Sequence, residues 1–316
     1  MRSSTAAGSR PPGSPRRARP VVALLLSTLF ALAAACGGGG GSSTKPDIGG
    51  VAFGNDLFVA VSSIGQAHVS SSGNQDWAVF DVGVEGGLSA VAFGAGRFVA
   101  VGEGGAIATS TDGVTWALPS SPTTAALDGI GYGAGSFVAV GEGGTILTST
   151  NGSSWTVRSS GTGATLDAVV RARDAFFAVG DAGTVLRSAD GAAWSSVDPG
   201  VDVNLNGIAA RDSLLVVAGD DGTLLVSVDG KIWETRSTDL EVSLQSAFWD
   251  QGTFVVAGEN GTIVTSIDAR QWFLQETKTK QILQSTAYGN GLFVTVGTAS
   301  DALVSIDSVS WLKTKI

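Results

Sequence analysis

The sequence predicts an all-β chain: a seven-bladed β-propeller with four antiparallel strands per blade, over residues 48–316. Three observations predict it. Tryptophans fall at 77, 116, 155, 194, 233, 272 and 311, one every 39 residues, and only Trp249 is off that grid. A period near 40 is typical of propeller blades. Strand-like runs keep the same frame, as in "FVAVG" from Phe98 and Phe137, "LVVAG" from Leu215 and "FVVAG" from Phe254. Finally, glycine-rich turns separate the apolar runs, and no 3.6-residue period survives beyond residue 40.

Each unit divides into four strands. In residues 127–160, "LDGIGYG" is strand A, "FVAVG" strand B, "TILTST" strand C and "WTVRSS" strand D. The runs are rich in Val, Ile, Phe, Thr and Trp, and "GEGG" and "NG" supply the positive φ that tight hairpins need. Strand A is expected nearest the axis, where room is short. Its third position is Gly50, Ala90, Gly129, Ala168, Gly207, Ser246 and Ser285, small in every copy. Each blade is expected to run A to D within its own repeat, so that blade one packs on blade seven without a shared, strand-swapped blade. A stacked solenoid is the rival, disfavoured by the lack of distinct capping repeats.

The tryptophan closes a motif. "STDGVTW" ends at Trp116, "STNGSSW" at Trp155, "SADGAAW" at Trp194, "SVDGKIW" at Trp233, "SIDARQW" at Trp272 and "SIDSVSW" at Trp311. A blurred copy, "SSSGNQDW", ends at Trp77. The pattern S-x-D-G-x-x-W resembles the Asp-box, or bacterial neuraminidase repeat. With "GEGGTILTSTNGSSW" it is most similar to the photosystem II assembly and stability factor type of propeller. The resemblance covers residues 48–316 and implies a turn between strands C and D. There Asp112, Asn151, Asp190, Asp229, Asp268 and Asp307 would accept turn amides, and the tryptophans would fill the seam between blades. The motif is therefore expected to be scaffold. It is specific for fold and weak for function, because such turns occur in sialidases, sorting receptors and assembly factors alike.

Residues 1–35 stand apart. They carry five arginines and no acidic residue, then an apolar run from Val21 to Ala35. That run is short for a membrane span and suits a signal-peptide core. "ALAAAC" resembles a bacterial lipobox, which implies removal of 1–35 and acylation of Cys36, the only cysteine. A Gly/Ser-rich tether follows over 36–47. The expected place is extracytoplasmic, on the periplasmic side or the cell surface, held to a bacterial membrane by the lipid alone. Of 19 basic residues, removal of five leaves 14 against 28 acidic ones, a net −14 compared with −9 for the whole chain. Such a balance argues against nucleic acid as a partner.

Chemistry is sparse. A sialidase resemblance would require an arginine triad and a tyrosine nucleophile with a glutamate. The two tyrosines, Tyr132 and Tyr288, share a strand-A column with Phe53, Phe93 and Trp249, and their repeat position explains them. His68 is the only histidine and stands in a strand. No catalytic set, metal site or cofactor is expected. An acidic column, Glu103, Glu142, Asp181, Asp220 and Glu259, occupies the B–C turns of five consecutive blades. It reads first as solvated turn residues and second as an electrostatic rim.

In a repeat protein, departures from the internal consensus are candidates for function. Strand A usually ends "AFG" or "GYG", but blades four to six read "VRARD", "AARD" and "AFWDQ". Arg171, Arg173, Arg211, Trp249 and Asp250 thus form a candidate partner patch on the face that carries the C–D turns, since Arg and Trp anchor interfaces. The competing expectation is drift, with ion pairs to Asp174, Asp212 and Asp250. If the patch is purely surface, changing the three arginines to Glu leaves the melting temperature unchanged. The sequence therefore points to a monomeric, non-enzymatic platform for an envelope protein partner. A glycan-binding propeller is the alternative, with a glycoside hydrolase behind it.

Overall fold

The computed structural model describes residues 45–316. The expected signal peptide, Cys36 and the expected tether up to residue 44 lie outside the described residues. The rest is a ring of seven antiparallel sheets. Blade one consists of Ile48–Gly54, Leu57–Ser62, Gln66–Ser70 and Ala78–Asp81, paired in that order. The six later inner strands are Leu88–Gly94, Leu127–Gly133, Leu166–Arg171, Leu205–Arg211, Leu244–Asp250 and Leu283–Gly289. Each packs against the inner strand of the next blade. A–B and C–D turns therefore share one end of the ring, and B–C turns and D–A connections share the other.

Blade two departs from its neighbours. Its fourth strand is reduced to one bridge, Thr109 to Ala117, with reciprocal N–H···O bonds of 2.9 Å. In blade three the ladder continues to Ile146–Arg158. The blade-two equivalent of Arg158 is Pro119, which has no N–H to give to the ladder.

The small third position of strand A follows from the axis. A Cβ on Gly129 would lie 2.5 Å from the Asp167 carbonyl oxygen, and one on Gly207 would lie 2.7 Å from Ser246 Cα. Each inner strand also carries a register shift between its first and third residues, as at Leu127/Gly129 and Leu166/Ala168. The bulged second residue is unpaired in the ladder and lines the central channel.

The core lies in the seams between blades. Between blades one and two, Val59, Val61 and Val69 meet Leu88, Phe98, Ala100 and Trp116. The last seam joins Ile48, Val51 and Phe58 of blade one to Ala287, Val294 and Val304 of blade seven. Across it Ala299 N–H donates to Asp47 Oδ1 at 2.8 Å, and Ser300 N–H donates to the Pro46 carbonyl at 2.9 Å. Blade one is built from its own repeat alone, so no strand is swapped.

Candidate functional site

The C–D turns repeat one set of contacts. Asp112 Oδ1 accepts from the N–H groups of Val114 (2.9 Å) and Thr115 (2.8 Å), while Gly113 N–H donates to Ser110 Oγ at 2.9 Å. Asp190, Asp229, Asp268 and Asp307 do the same, as does the amide oxygen of Asn151. Backbone N–H donors hold Asp307 down to about 2, Ser310 contributing most, and hold the other four below their ordinary range. Ala269 and Ser308 replace the turn glycine and keep its positive φ, at 57° and 61°. Trp116, Trp155, Trp194 and Trp311 donate back to the turn carbonyl, whereas the indole N–H groups of Trp77, Trp233 and Trp272 are buried without a partner. These aspartates are occupied by their own turns, and Asp76 plays a related part in blade one by accepting from three serine hydroxyls.

On the same end, five strand-A aromatics stack on strand-B phenylalanines. The pairs run from Phe53–Phe58 to Tyr288–Phe293, with ring centroids 4.4–4.8 Å apart. In blade four Arg171 takes the aromatic's place. Its guanidinium carbon sits 4.8 Å over the Phe176 ring, and Nη1 donates to the Ala189 carbonyl at 2.9 Å. In blade five the aromatic is Ala210, and the next residue, Arg211, reaches across the seam. It lies 4.9 Å over Trp249 and donates to the Ile267 carbonyl at 3.0 Å. Arg173 is exposed, and its backbone N–H donates to the Asp212 carbonyl at 2.8 Å. Asp250 accepts from Gln251.

The structure thus joins Arg211 to Trp249 directly and sets Arg173 beside blade five. Two expectations are corrected. Among the described residues Arg171, Arg173 and Arg211 form no ion pair; Asp174 meets Arg187 instead, at 3.9 Å. And Arg171 and Arg211 are packed over rings, so their replacement by Glu must cost stability.

Three members of the acidic column also make local hydrogen bonds. Glu103 accepts from Gly87 N–H at 3.1 Å and Glu142 from Ala126 N–H at 3.2 Å. Asp220 accepts from Asn204, Asn206 and Ser243. Glu103 and Glu142 remain exposed while they latch the D–A connection to the B–C turn, and Asp220 is half-buried.

Two features escaped the sequence reading. The bulged strand-A residues are Gly49, Ser89, Asp128, Asp167, Asn206, Gln245 and Gln284, and they ring a channel cavity of about 400 Å³. Burial pushes Asp167 up to about 7, aided by the carboxylates of Asp181, Asp128 and Asp220. Burial likewise raises Asp128, with Glu142 and Asp181. One oxygen of each is buried without a partner. The only signal was the second letter of each strand A, and its direction depended on the bulge. The second feature is a run of exposed aliphatics on the C–D turns: Val228 (69%), Ile232 (71%), Ile267 (69%) and Ile306 (78%). The alignment of repeats held that signal for Val228, Ile267 and Ile306, at the position before the turn aspartate. Among the described residues no group of three or more His, Cys, Asp or Glu is placed to hold a metal ion.

A family model described as the DUF6242 beta propeller domain matches residues 135–243. Among solved structures, the chain is similar to YCF48 from Cyanidioschyzon merolae, with 16% identity, coverage of 81% of this chain and 94% of that one, and a TM-score of 0.64. It is similar to a structure of YCF48 bound to D1 peptide, with 19% identity, coverage of 67% and 74%, and a TM-score of 0.54. It is also similar to the computationally designed Ika8 protein, with 15% identity, coverage of 85% and 86%, and a TM-score of 0.63. No curated protein matches the chain. At such identities the likeness shows the fold.

Proposed function

We propose that this chain is a non-enzymatic protein-interaction propeller. It works outside the cytoplasm, tethered to a bacterial membrane by acylated Cys36, and engages an envelope protein through the end of the ring that carries the A–B and C–D turns. One observation carries the choice of face. The strand-A ends depart from the repeat in three neighbouring blades, and there Arg211 is held over Trp249 beside the exposed Arg173. Arg and Trp presented on rigid strand ends suit an interface. The C–D turn motif, with its resemblance to the Asp-box, serves as scaffold, because its aspartates are committed to their turns. The neighbour YCF48, recorded with a bound D1 peptide, supports the reading by showing that such a ring can take a peptide.

In-cell photocrosslinking with the full chain tests this. A crosslinker at Arg173 is expected to trap one protein, and one at Glu142, on the opposite end, is expected not to. Equal trapping from both ends would defeat the choice of face. Cys36→Ser should move the protein from the membrane to the soluble fraction and abolish labelling by an acyl probe. An unchanged distribution would sink the tether.

A further inference from the structure

The seven copies of the repeat serve as internal controls for one another, and three columns break together around blades five and six. Before the turn aspartate stand Thr111, Thr150 and Ala189 in blades two to four, but Val228, Ile267 and Ile306 in blades five to seven. After the turn glycine, or the residue that replaces it, the cations Lys231 and Arg270 occur only in blades five and six. The end of strand A, glycine in four blades, is Arg211 in blade five. The tertiary structure brings three of these departures, Val228, Arg211 and Arg270, to one cleft of about 620 Å³ between blades five and six, lined also by Leu214 and Ile232.

The charges in the cleft are unevenly committed. Asp229 and Asp268 each accept two backbone N–H groups within their own turns. Glu234 is paired with Arg236 at 2.5 Å. Arg211 and Arg270 have no carboxylate within ion-pair distance among the described residues, on a chain of net charge −9. Beside them two large aliphatic side chains, Val228 and Ile232, stand mostly in water. Exposed aliphatics and unpaired guanidinium groups in one cleft call for an occupant with both complements.

We propose that this cleft binds an extended segment of a partner protein in which an aliphatic side chain neighbours a carboxylate. The aliphatic group covers Val228 and Ile232, and the carboxylate lies between Arg211 and Arg270. The proposal rests on the protein-interaction reading above and narrows it to one seam and one ligand chemistry.

The test pans the full chain, in detergent, with a random peptide library and measures the enriched peptides by fluorescence anisotropy. Enriched peptides are expected to pair Asp or Glu with Leu, Ile or Val, and to bind more weakly as ionic strength rises. Arg270→Glu should weaken binding about tenfold or more and Ile232→Ser about fivefold. Ser153→Glu, at the position of Arg270 in blade three, should leave binding unchanged. All three sites are exposed, and an unchanged melting temperature confirms that each variant is folded. Peptides that bind Arg270→Glu as tightly as the native chain, or that are basic, overturn the cleft while leaving the broader reading in place. No enriched peptide, with retention of Cys36→Ser on vesicles containing phosphatidylglycerol that Arg270→Glu abolishes, overturns the cleft and makes the face a membrane-docking surface. No binding to either probe also overturns the cleft.

Discussion

Asp167→Asn should stabilise this protein at neutral and alkaline pH. The second residue of strand A is Asn206 in blade five, where its Nδ2 donates to Asp220 Oδ1 and to the Leu244 carbonyl of the next blade, both at 3.0 Å. In blade four the same position is Asp167, with one oxygen buried and unpartnered. The groups that press on its charge are Asp181, Asp128 and Asp220, all of like sign. Its carboxyl titrates near 7 instead of near its ordinary 3.8. A folded-state value above the unfolded one means that the native state binds the extra proton between those limits. Stability is therefore full below about pH 4 and falls as pH rises toward 7. At about 1.4 kcal/mol per pH unit the ceiling is roughly 4 kcal/mol. The side chain is half-buried at the channel, and partial solvent screening reduces the expected loss to about 2 kcal/mol. Urea unfolding of both proteins at acid and alkaline pH measures it. Asp167→Asn should match the native chain in acid and exceed it by about 2 kcal/mol at alkaline pH, or roughly 5 °C in melting temperature. Parallel pH profiles for the two proteins would refute the reasoning.

Other substitutions probe the ring elsewhere. His68 is 3% exposed in a strand-C column that holds leucine in four other blades, both its nitrogens lack partners, and burial lowers its pKa. Protonation of the unfolded chain is then favoured as pH falls through about 6.5. His68→Leu should stabilise the chain at all pH values, and more so in acid; an advantage that does not grow in acid counts against a buried neutral imidazole. Gly230→Ala should cost about 2 kcal/mol or more, because its φ is 65° and the new Cβ would lie 2.2 Å from Phe177 Cζ. A denaturation midpoint equal to the native value would contradict that packing. Arg171→Glu should lower the melting temperature by a few degrees, equivalent to about 1–2 kcal/mol, whereas Arg173→Glu should not. Equal melting temperatures for all three proteins would mean that the Arg171–Phe176 stack contributes nothing.

The sequence by itself determined the ring. A 39-residue period, a tryptophan closing each copy and small residues at one strand-A position are local and repetitive, so one chain displays the rule seven times. The turn aspartates were legible for the same reason, because their partners lie two and three residues away. Even the candidate patch announced itself, as a break in the pattern. What Arg171 and Arg211 touch did not. Arg211 donates to a carbonyl 56 residues on and stacks on a tryptophan of the next blade, and no spacing rule reaches that far. The shortened fourth strand of blade two was readable in Pro119, though only against the ladder of its neighbours. Only the tertiary structure decided which way Asp128 and Asp167 face. A bulge at the start of strand A turns its second residue toward the axis, where seven copies converge and water is scarce. Carboxylates that are ordinary in an isolated strand become, in a closed ring, like charges with no counter-ion.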